Sequence, residues 1–256
     1  GSYSGSLSFD NFHLEGGQGF LVKFGHEEGS ALWAKEIRQV QPDAINLLQN
    51  PVAPIRTDEE GNIYLAGRTG NNAAGIFAGV IVDNTTAIPV ANPEDPAANN
   101  SGLWAARLSP HGSVLWARIL RDDHSDGPVP MALTHDSIYL AAGEATPPLG
   151  TINKVLKLSA EGRATWEHTC SGSTVRITSL ASDHGDTVNV AGIVTKEVVA
   201  GIGGPVEVGD TFLEVNGYED IFTIELQNSH DVDIEPPSID FEDEGVIHVT
   251  IGKFFK

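Results

Sequence analysis

Four segments of this chain carry one apolar pattern, and the first of them is Ile63-Tyr64-Leu65-Ala66-Gly67. The pattern returns at Ile138-Tyr139-Leu140-Ala141-Ala142 and Val188-Asn189-Val190-Ala191-Gly192, and more loosely at Ile247-His248-Val249-Thr250-Ile251. A β-type segment that recurs at this scale is typical of modular sheet proteins, most often propellers. The repeat therefore predicts the architecture of the chain, whereas it indicates little about its chemistry.

Further strand patterns recur with the first one. The next strand has a charged fourth position and an apolar fifth, and its copies are Phe20–Phe24, Trp104–Leu108, Lys154–Leu158 and Phe222–Leu226. Such alternation predicts one face in a core and one face toward water or a neighbouring edge. Turns that end in Gly follow, and they suit hairpins whose last position needs a positive φ. The return strand carries Trp33, Trp116 or Trp166, and a short strand completes the repeat.

Four strands per repeat predict an all-β fold, namely a β-propeller of about four blades, each made of four antiparallel strands. We expect a single domain over residues 1–256, with blade units at about 20–67, 103–143, 153–192 and 221–252 and a long loop at 71–102. The N-terminal strands and the C-terminal strands are expected to share one blade and so close the ring.

Two smaller features accompany this prediction. The segments Gly5–Leu14 and Gly204–Leu213 match one another, and we expect each to form an extra hairpin at a blade edge. The small residues that end the first pattern, among them Gly67, are expected to let backbones approach closely.

The composition is strongly acidic. The 256 residues include 35 acidic and 15 basic side chains, which gives a formal net charge of −20. Such a surface disfavours nucleic acid and anionic lipid as partners, and it favours solubility and divalent cations. No apolar run has the length of a membrane-spanning helix. The chain starts at Gly1 without a Met, so we expect a mature form or a fragment.

Metal binding is one chemistry that the sequence raises. In Asp122-Asp123-His124-Ser125-Asp126-Gly127, oxygen-bearing side chains before a Gly suit a Ca²⁺ loop, with Asp122 and Asp126 as the candidate ligands. The third position is His, however, and Leu133 stands where a bidentate Glu would fall, so an acidic loop is the favoured interpretation. We therefore expect no cofactor, with calcium as the alternative.

Catalysis has little support in the sequence. The histidines show no metal-ligand spacing, and no nucleophile-elbow or phosphate-binding motif is present, although a Ser-His-Asp triad can assemble in space from distant residues. The single cysteine, Cys170, is interpreted as a small core residue. The three recurring tryptophans could stack on sugars if they are exposed, but their fixed position in the repeat favours packing between blades.

The repeat resembles the bacterial and archaeal SBBP-type β-propeller repeat. The resemblance rests on Gly19–Phe24, Ala31–Ala34 and Asp58-Glu59-Glu60-Gly61-Asn62-Ile63-Tyr64-Leu65-Ala66-Gly67, and it covers nearly the whole chain outside residues 71–102. The last repeat departs from the pattern because it lacks the Trp. The resemblance implies a secreted or cell-surface protein, and the family has no shared active-site residues to carry over.

The sequence thus predicts a non-enzymatic, extracellular or cell-surface β-propeller that acts in interaction, adhesion or surface assembly. Its expected partner is a protein or glycan at the cell surface, with self-assembly as a further option and no nucleic acid or membrane span. The alternatives are a carbohydrate-binding propeller and, with less support, a hydrolase whose site lies in the central channel.

Overall fold

The chain is all-β in a computed structural model, and the described residues contain strands and turns but no helix. The description covers residues 1, 3–15, 19–40, 55–68, 79–82, 87–89, 102–122, 129–146, 150–171, 175–182, 187–195, 206–208, 211–213, 219–227 and 247–252. Within these ranges no helix is long and apolar enough to cross a lipid bilayer.

Twenty strands make up this part of the chain. The first ten are β1 (Ser6–Phe9), β2 (Phe12–Glu15), β3 (Gly19–Phe24), β4 (Ala31–Val40), β5 (Ile55–Thr57), β6 (Ile63–Arg68), β7 (Gly79–Val82), β8 (Ala87–Pro89), β9 (Gly102–Leu108) and β10 (Val114–Asp122). The second ten are β11 (Met131–Leu133), β12 (Ser137–Thr146), β13 (Gly150–Ser159), β14 (Ala164–Ser171), β15 (Val175–Ser182), β16 (Thr187–Thr195), β17 (Val206–Val208), β18 (Thr211–Leu213), β19 (Glu219–Gln227) and β20 (Ile247–Gly252).

The strands form four antiparallel sheets and one separate hairpin, β1-β2. Sheet 1 has the order β3-β4-β7-β8, and sheet 2 has the order β10-β9-β6-β5. Sheet 3 has the order β11-β12-β13-β14-β17-β18, and sheet 4 has the order β15-β16-β19-β20. Antiparallel sheets of about four strands are therefore confirmed as the building unit.

The sheets begin at a different point of the repeat from the predicted blade units. In sheets 2 and 3 the short strand comes first, followed by the Ile-Tyr-Leu strand, the strand with the charged fourth position and the Trp strand. Each of these sheets therefore combines the end of one predicted unit with the start of the next. A cyclic repeat reads the same from any starting strand, so its pattern alone does not indicate where one sheet ends.

In sheets 2, 3 and 4, the strand with the charged fourth position pairs with the Ile-Tyr-Leu strand in one register. Gly67 lies opposite Trp104 in sheet 2, Ala142 opposite Lys154 in sheet 3, and Gly192 opposite Phe222 in sheet 4. A Cβ on Gly67 would lie 2.7 Å from the Trp104 ring. Gly67 is thus needed because an indole covers it. Ala142 is tolerated because its partner is Lys154.

The segment 71–102 was predicted to be a loop, but part of it forms strands. Residues of β7 pair with the outer edge of β4, with Ile37 opposite Val82, and β8 pairs with β7. The β17-β18 hairpin makes the equivalent addition to β14, where Cys170 lies opposite Val208. The predicted hairpins in 5–14 and 204–213 are both confirmed, and the second one lies at a sheet edge as expected.

The terminal strands do not share a sheet, so this part of the prediction is wrong for the described residues. β3 and β4 belong to sheet 1, whereas β20 pairs with β19 in sheet 4, with Ile251 opposite Phe222. Gly192 of β16 lies opposite Phe222 on the other side. The apolar alternation of β20 thus fits either edge of such a strand, and β19 is much nearer in the sequence than β3, so the loop costs less entropy to close.

Three hydrophobic clusters join the four sheets in series. The cluster between sheets 1 and 2 contains Leu21, Ile37, Ile63, Leu65, Trp104, Ala106 and Leu108. The cluster between sheets 2 and 3 contains Tyr64, Ala66, Leu103, Ala105, Val129, Met131, Ile138, Leu140, Ala142, Leu156 and Leu158. The cluster between sheets 3 and 4 contains Ala132, Tyr139, Ala141, Val155, Cys170, Val175, Ile177, Leu180, Val188, Val190 and Leu226. Both faces of sheets 2 and 3 are therefore buried, which explains the nearly continuous apolar sequence of their inner strands.

The turns confirm the predicted use of glycine. Gly29, Gly112 and Gly162 end the turns between paired strands with φ angles of 64°, 80° and 75°. In the turn at 109–113, the Gly112 amide donates to the Ser109 carbonyl at 2.9 Å. A residue with a Cβ is strained at such a φ, so these positions set the hairpins that bring successive sheets together.

Candidate functional site

A polar groove lies where the turns of sheets 2, 3 and 4 meet. Its volume is about 870 Å³, and residues of all three sheets line it. Its charged and polar lining consists of Arg56, Thr57, Asp58, Glu59, Glu60, Tyr64, Arg107, Thr134, His135, Asp136, Ser137 and Ser182. The groove brings together turn residues that are far apart in sequence, which makes it the candidate functional site.

Asp58 is the centre of the hydrogen-bond network in this groove. Its Oδ1 accepts from the Asn62 amide at 2.8 Å, and its Oδ2 accepts from Asn62 Nδ2 at 2.9 Å and from the Tyr64 hydroxyl at 3.0 Å. The turn closes with the Gly61 amide donating to the Asp58 carbonyl. An Asx-type turn of this kind needs an acceptor side chain at its first position. The network explains why Asp, Gly, Asn and Tyr occur together in this repeat.

Arg107 connects this turn to the next sheet. Its Nη2 lies 3.2 Å from Asp58 Oδ2 and 3.7 Å from Glu60 Oε2, and its Nη1 donates to the Ala160 carbonyl at 3.3 Å. The guanidinium carbon also lies 5.3 Å from the centre of the Tyr64 ring. Arg107 and Asp58 are each about four-fifths buried, so their ion pair is less screened than a surface pair.

The network shifts two pKa values in the groove. Burial by itself would raise the pKa of Asp58, but hydrogen bonds from Asn62 and Tyr64 and the charge of Arg107 hold it below its ordinary value. Burial, followed by the hydrogen bond to Asp58, raises the pKa of the Tyr64 hydroxyl. Asp58 is therefore a stable carboxylate and Tyr64 a stable neutral donor, which suits a structural role for both.

A related arrangement recurs between sheets 1 and 2. Lys23 Nζ and Trp33 Nε1 both donate to the Pro110 carbonyl, at 2.9 Å and 3.3 Å. Between sheets 2 and 3, Arg107 and Trp116 make the same contact with the Ala160 carbonyl, and the Trp116 distance is 2.8 Å. We call this pair of donors on one turn carbonyl the carbonyl clamp. The charged fourth position, predicted to face water or a sheet edge, therefore reaches the neighbouring sheet instead.

The tryptophans of the clamp also pack on the turn glycines. A Cβ added to Gly112 would lie 3.1 Å from Trp33, and one added to Gly162 would lie 2.7 Å from Trp116. Both rings are half-buried and lie against the clusters between sheets. The predicted packing role of Trp33 and Trp116 is confirmed by these contacts.

Other side chains of the groove are directed to solvent. The exposed residues of the lining include Arg56, Glu59, Glu60, His135 and Asp136. Because Asp58 and Arg107 neutralise one another, the accessible charges are mostly acidic. The arrangement can therefore bind basic or hydrogen-bond-donating groups of a partner on a rigid base.

One of the two calcium candidates lies on a described strand. Asp122 is the last residue of β10, opposite Gly102, and Asp126 lies outside the described residues. Within the described part of the chain, no group of three or more His, Cys, Asp or Glu side chains is placed to hold a metal ion.

A Ser-His-Glu arrangement lies elsewhere, on the β1-β2 hairpin. Ser8 Oγ is 2.7 Å from His13 Nδ1, and His13 Nε2 is 3.1 Å from Glu15 Oε1. These distances match those of a nucleophile, a base and an orienting acid. The His13 and Glu15 side chains are 53% and 77% exposed, however, and none of the three residues lines the groove. Water can compete for each of these hydrogen bonds, so the arrangement is a row of hydrogen-bonded polar side chains on the surface.

Cys170 is buried in the cluster between sheets 3 and 4, as predicted. Burial raises the pKa of its thiol to about 12. A thiol in this environment stays protonated at neutral pH, which makes it a poor nucleophile. Cys170 is therefore a core residue, in agreement with the sequence interpretation.

Sequence reasoning missed the roles of Arg107, Tyr64 and Asp58 as one unit. The recurrence of a basic residue, Lys23, Arg107 or Lys157, in the same repeats as a Trp was a usable signal. It indicated that the two side chains act together, because the last repeat has Glu225 at this position and also lacks the Trp. In comparisons with known proteins, no family model and no curated protein matches the chain.

Proposed function

We propose that this chain is a non-enzymatic interaction module, built as a β-propeller, that works outside the cell or at its surface in adhesion or assembly. The observation that carries the proposal is the groove, in which buried polar groups hold the turns and exposed acids face solvent. Asp58 accepts from three different residues, so its oxygens already serve the turn.

The serial packing of the sheets supports the propeller as the architecture. Blades of a propeller pack face to face around a central axis, so inner strands are covered on both sides. Sheets 2 and 3 have such double burial, and the carbonyl clamps repeat the same contact from one sheet to the next. A repeated contact of one geometry rotates each sheet by a similar amount relative to the last, which favours a ring.

The groove suits a basic segment of a protein partner. Its accessible carboxylates, including Glu59 and Asp136, form a rim around fixed turns. The whole-chain charge of −20 would attract such a segment from a distance and speed the encounter. The tryptophans that a sugar-binding protein would offer are used differently here, since the indole N–H groups of Trp33 and Trp116 donate to turn carbonyls. This favours a protein partner over a glycan.

Binding of a fluorescent deca-lysine peptide tests this proposal. We expect binding at low salt, and the double variant Glu59→Gln/Asp136→Asn should weaken it about 2- to 30-fold, because each of the two exposed ion pairs contributes about 0.2–1 kcal/mol. The matched control is Glu27→Gln/Glu28→Gln, which removes the same charge from an exposed turn that does not line the groove. Fluorescence anisotropy gives the affinities.

The proposal fails if both double variants weaken the peptide equally, because the binding then depends on overall charge and not on the groove. It also fails if the parent binds no peptide at low salt. A glycan array probed with the same protein decides between the protein partner and the carbohydrate alternative. Strong glycan binding that survives Glu59→Gln/Asp136→Asn would favour the carbohydrate alternative.

A further inference from the structure

Strand β3 lies at the edge of sheet 1, whereas the equivalent strands of the other three sheets have a neighbouring strand on both sides. β9, β13 and β19 each pair with an Ile-Tyr-Leu strand on one side and with another strand on the other side. β3 has the same pattern, but it pairs only with β4 among the strands of its sheet. The side of β3 that would hold an Ile-Tyr-Leu strand is therefore open in the described part of the chain.

The open edge of β3 carries backbone groups that are directed outward. Phe20 exchanges two hydrogen bonds with Gly1, at 2.9 Å and 3.0 Å, and these groups therefore point away from β4. Because this direction alternates along an antiparallel strand, the N–H and C=O of Val22 point to the same side. No described strand pairs with Val22 there. The Gly1 contact shows that this edge accepts an antiparallel backbone.

The side chains next to this edge are less covered than those of the matching strand. Phe24 is 50% exposed, and Phe20 and Val22 are half-buried. In β9 the equivalent residues Trp104, Ala106 and Leu108 are 1%, 0% and 0% exposed. Long edge strands with apolar neighbours favour the addition of another strand.

Strand β20 also has an open edge, but its sequence pattern is that of the missing neighbour of β3. Its pattern, Ile247 to Ile251, is of the Ile-Tyr-Leu type, and the other three strands of this type, β6, β12 and β16, are each flanked on both sides. β20 pairs with β19 and is the last strand of sheet 4. Its second edge is therefore open in the described residues, where no strand of the β3 type pairs with it. The two irregular edges are complementary.

We propose that the β3 edge of one copy of this chain binds the β20 edge of a second copy. The register of the other sheets places Val249 opposite Val22 and Ile251 opposite Phe20, where Ile251 replaces Gly1. Sheets 2 and 3 lie between sheet 1 and sheet 4 of one chain, so a second copy reaches the edge without repacking them. The contact is head-to-tail, which produces rings or filaments. The inference rests on the proposed role in assembly and gives that role its partner.

Light scattering over a range of protein concentrations tests this contact. The measured mass of the parent protein should rise from that of one 27.2 kDa chain toward multiples of it as the protein concentration increases. Val22→Pro removes an edge donor at a position where proline is tolerated, so it should remain a single chain at all concentrations. The control Val22→Thr keeps the backbone donor and should associate like the parent. Circular dichroism and melting establish that each variant is folded.

A mixing experiment makes the test specific for the two edges. Val22→Pro keeps the β20 edge, and Val249→Pro keeps the β3 edge, so each alone should be a single chain. Their mixture should form a 1:1 complex and nothing larger, because only one complementary pair of edges remains. If Val249→Pro does not fold, the comparison of Val22→Pro with Val22→Thr still decides the matter.

Hydrogen exchange at the Val22 amide separates the remaining outcomes. Protection that grows with protein concentration supports the contact between copies. Protection that is independent of concentration shows closure within one chain and overturns the inference, and so does an unprotected amide in a chain that stays single. The deca-lysine experiment is carried out on single chains of Val22→Pro, so its outcome is independent of this one.

Discussion

Strands β9 and β3 have the same pattern of residues but different surroundings. β9 lies inside sheet 2, with sheet 1 on one face and sheet 3 on the other, and its Leu108 is fully buried. β3 has sheet 2 on one face, whereas the described cover of the other consists of Tyr3 and Phe9 beside Phe20 and Phe24. The comparison teaches that burial in a repeat protein depends on the neighbouring sheet and not on the strand pattern.

The equivalent turns of sheets 3 and 1 differ in the same way. The sheet 3 turn that faces sheet 2 receives two donors at the Ala160 carbonyl and an indole on Gly162. In the corresponding turn of sheet 1, a Cβ on Gly29 would meet nothing within 4 Å. A turn in the middle of the series is therefore fixed by the neighbouring sheet. The turn of sheet 1 is held by its own hydrogen bonds and by the bond from the Ala31 amide to Asp10 of the β1-β2 hairpin.

The largest expected difference comes from truncating the same position in both strands. Leu108→Ala should lower the free energy of unfolding by about 2–5 kcal/mol, because it opens a cavity in a close-packed core. Phe24→Ala, at the equivalent exposed position, should cost about 1 kcal/mol or less. Urea denaturation measures both. Equal losses would show that the second face of sheet 1 is as well covered as sheet 2.

The second-largest difference in stability is expected between two turn glycines, Gly162 and Gly29. Gly162→Ala introduces a residue with a Cβ at a φ of 75° and forces it against Trp116, so we expect a loss of about 2–3 kcal/mol. Gly29→Ala has the same backbone strain but open space, and its loss should be about 1 kcal/mol. Thermal melting compares the two variants. A larger effect at Gly29 would contradict the difference between the turns.

The Asp58 carboxylate in sheet 2 should make the free energy of unfolding depend on pH. Because the folded pKa of Asp58 lies below its ordinary value, its contribution is fully present above about pH 4 and is lost as the pH falls through the folded pKa. Asp58→Asn should cost about 1–2 kcal/mol near neutral pH and flatten the acid limb of stability. Glu59→Gln, at the adjacent exposed residue, serves as the control. An unchanged acid limb in Asp58→Asn would disprove this role.

The smallest effect concerns the two clamps. Trp116→Phe removes the 2.8 Å hydrogen bond to Ala160 but keeps most of the ring, so we expect a loss of about 1 kcal/mol. Trp33→Phe removes a 3.3 Å bond to Pro110, whose carbonyl keeps the closer Lys23, and it should cost less. Differential scanning calorimetry resolves changes of this size. The opposite order would show that distance is a poor guide to the strength of these clamps.

The sequence was sufficient for the recurring strands, the hairpins and the packing role of Trp33 and Trp116. Hydrophobic alternation locates strands such as β6 and β12, and glycines such as Gly112 mark turns, because both signals are local. The boundaries of the sheets are not local. They depend on which strands pair, and β19 accepts β16 on one edge and β20 on the other with equal register.

The groove was harder to predict because it combines turns from three sheets. Asp58 and Arg107 are far apart in the sequence, and each has a simple explanation by itself as a turn residue or as a charged residue of a strand. Strands β7 and β8 were missed for a different reason. They lie in a segment rich in Asn and Pro, and their pairing depends on the open outer edge of β4.

The carbonyl clamp has a mechanical consequence. Each clamp links one sheet only to the next sheet. A force applied along the chain is therefore resisted by a series of separate contacts and not by one continuous core. Stretching such a molecule should unfold its sheets one after another. Unfolding of one sheet would leave the clamps between the other sheets intact. Under a pulling force the molecule would thereby lengthen in steps without losing its whole structure at once.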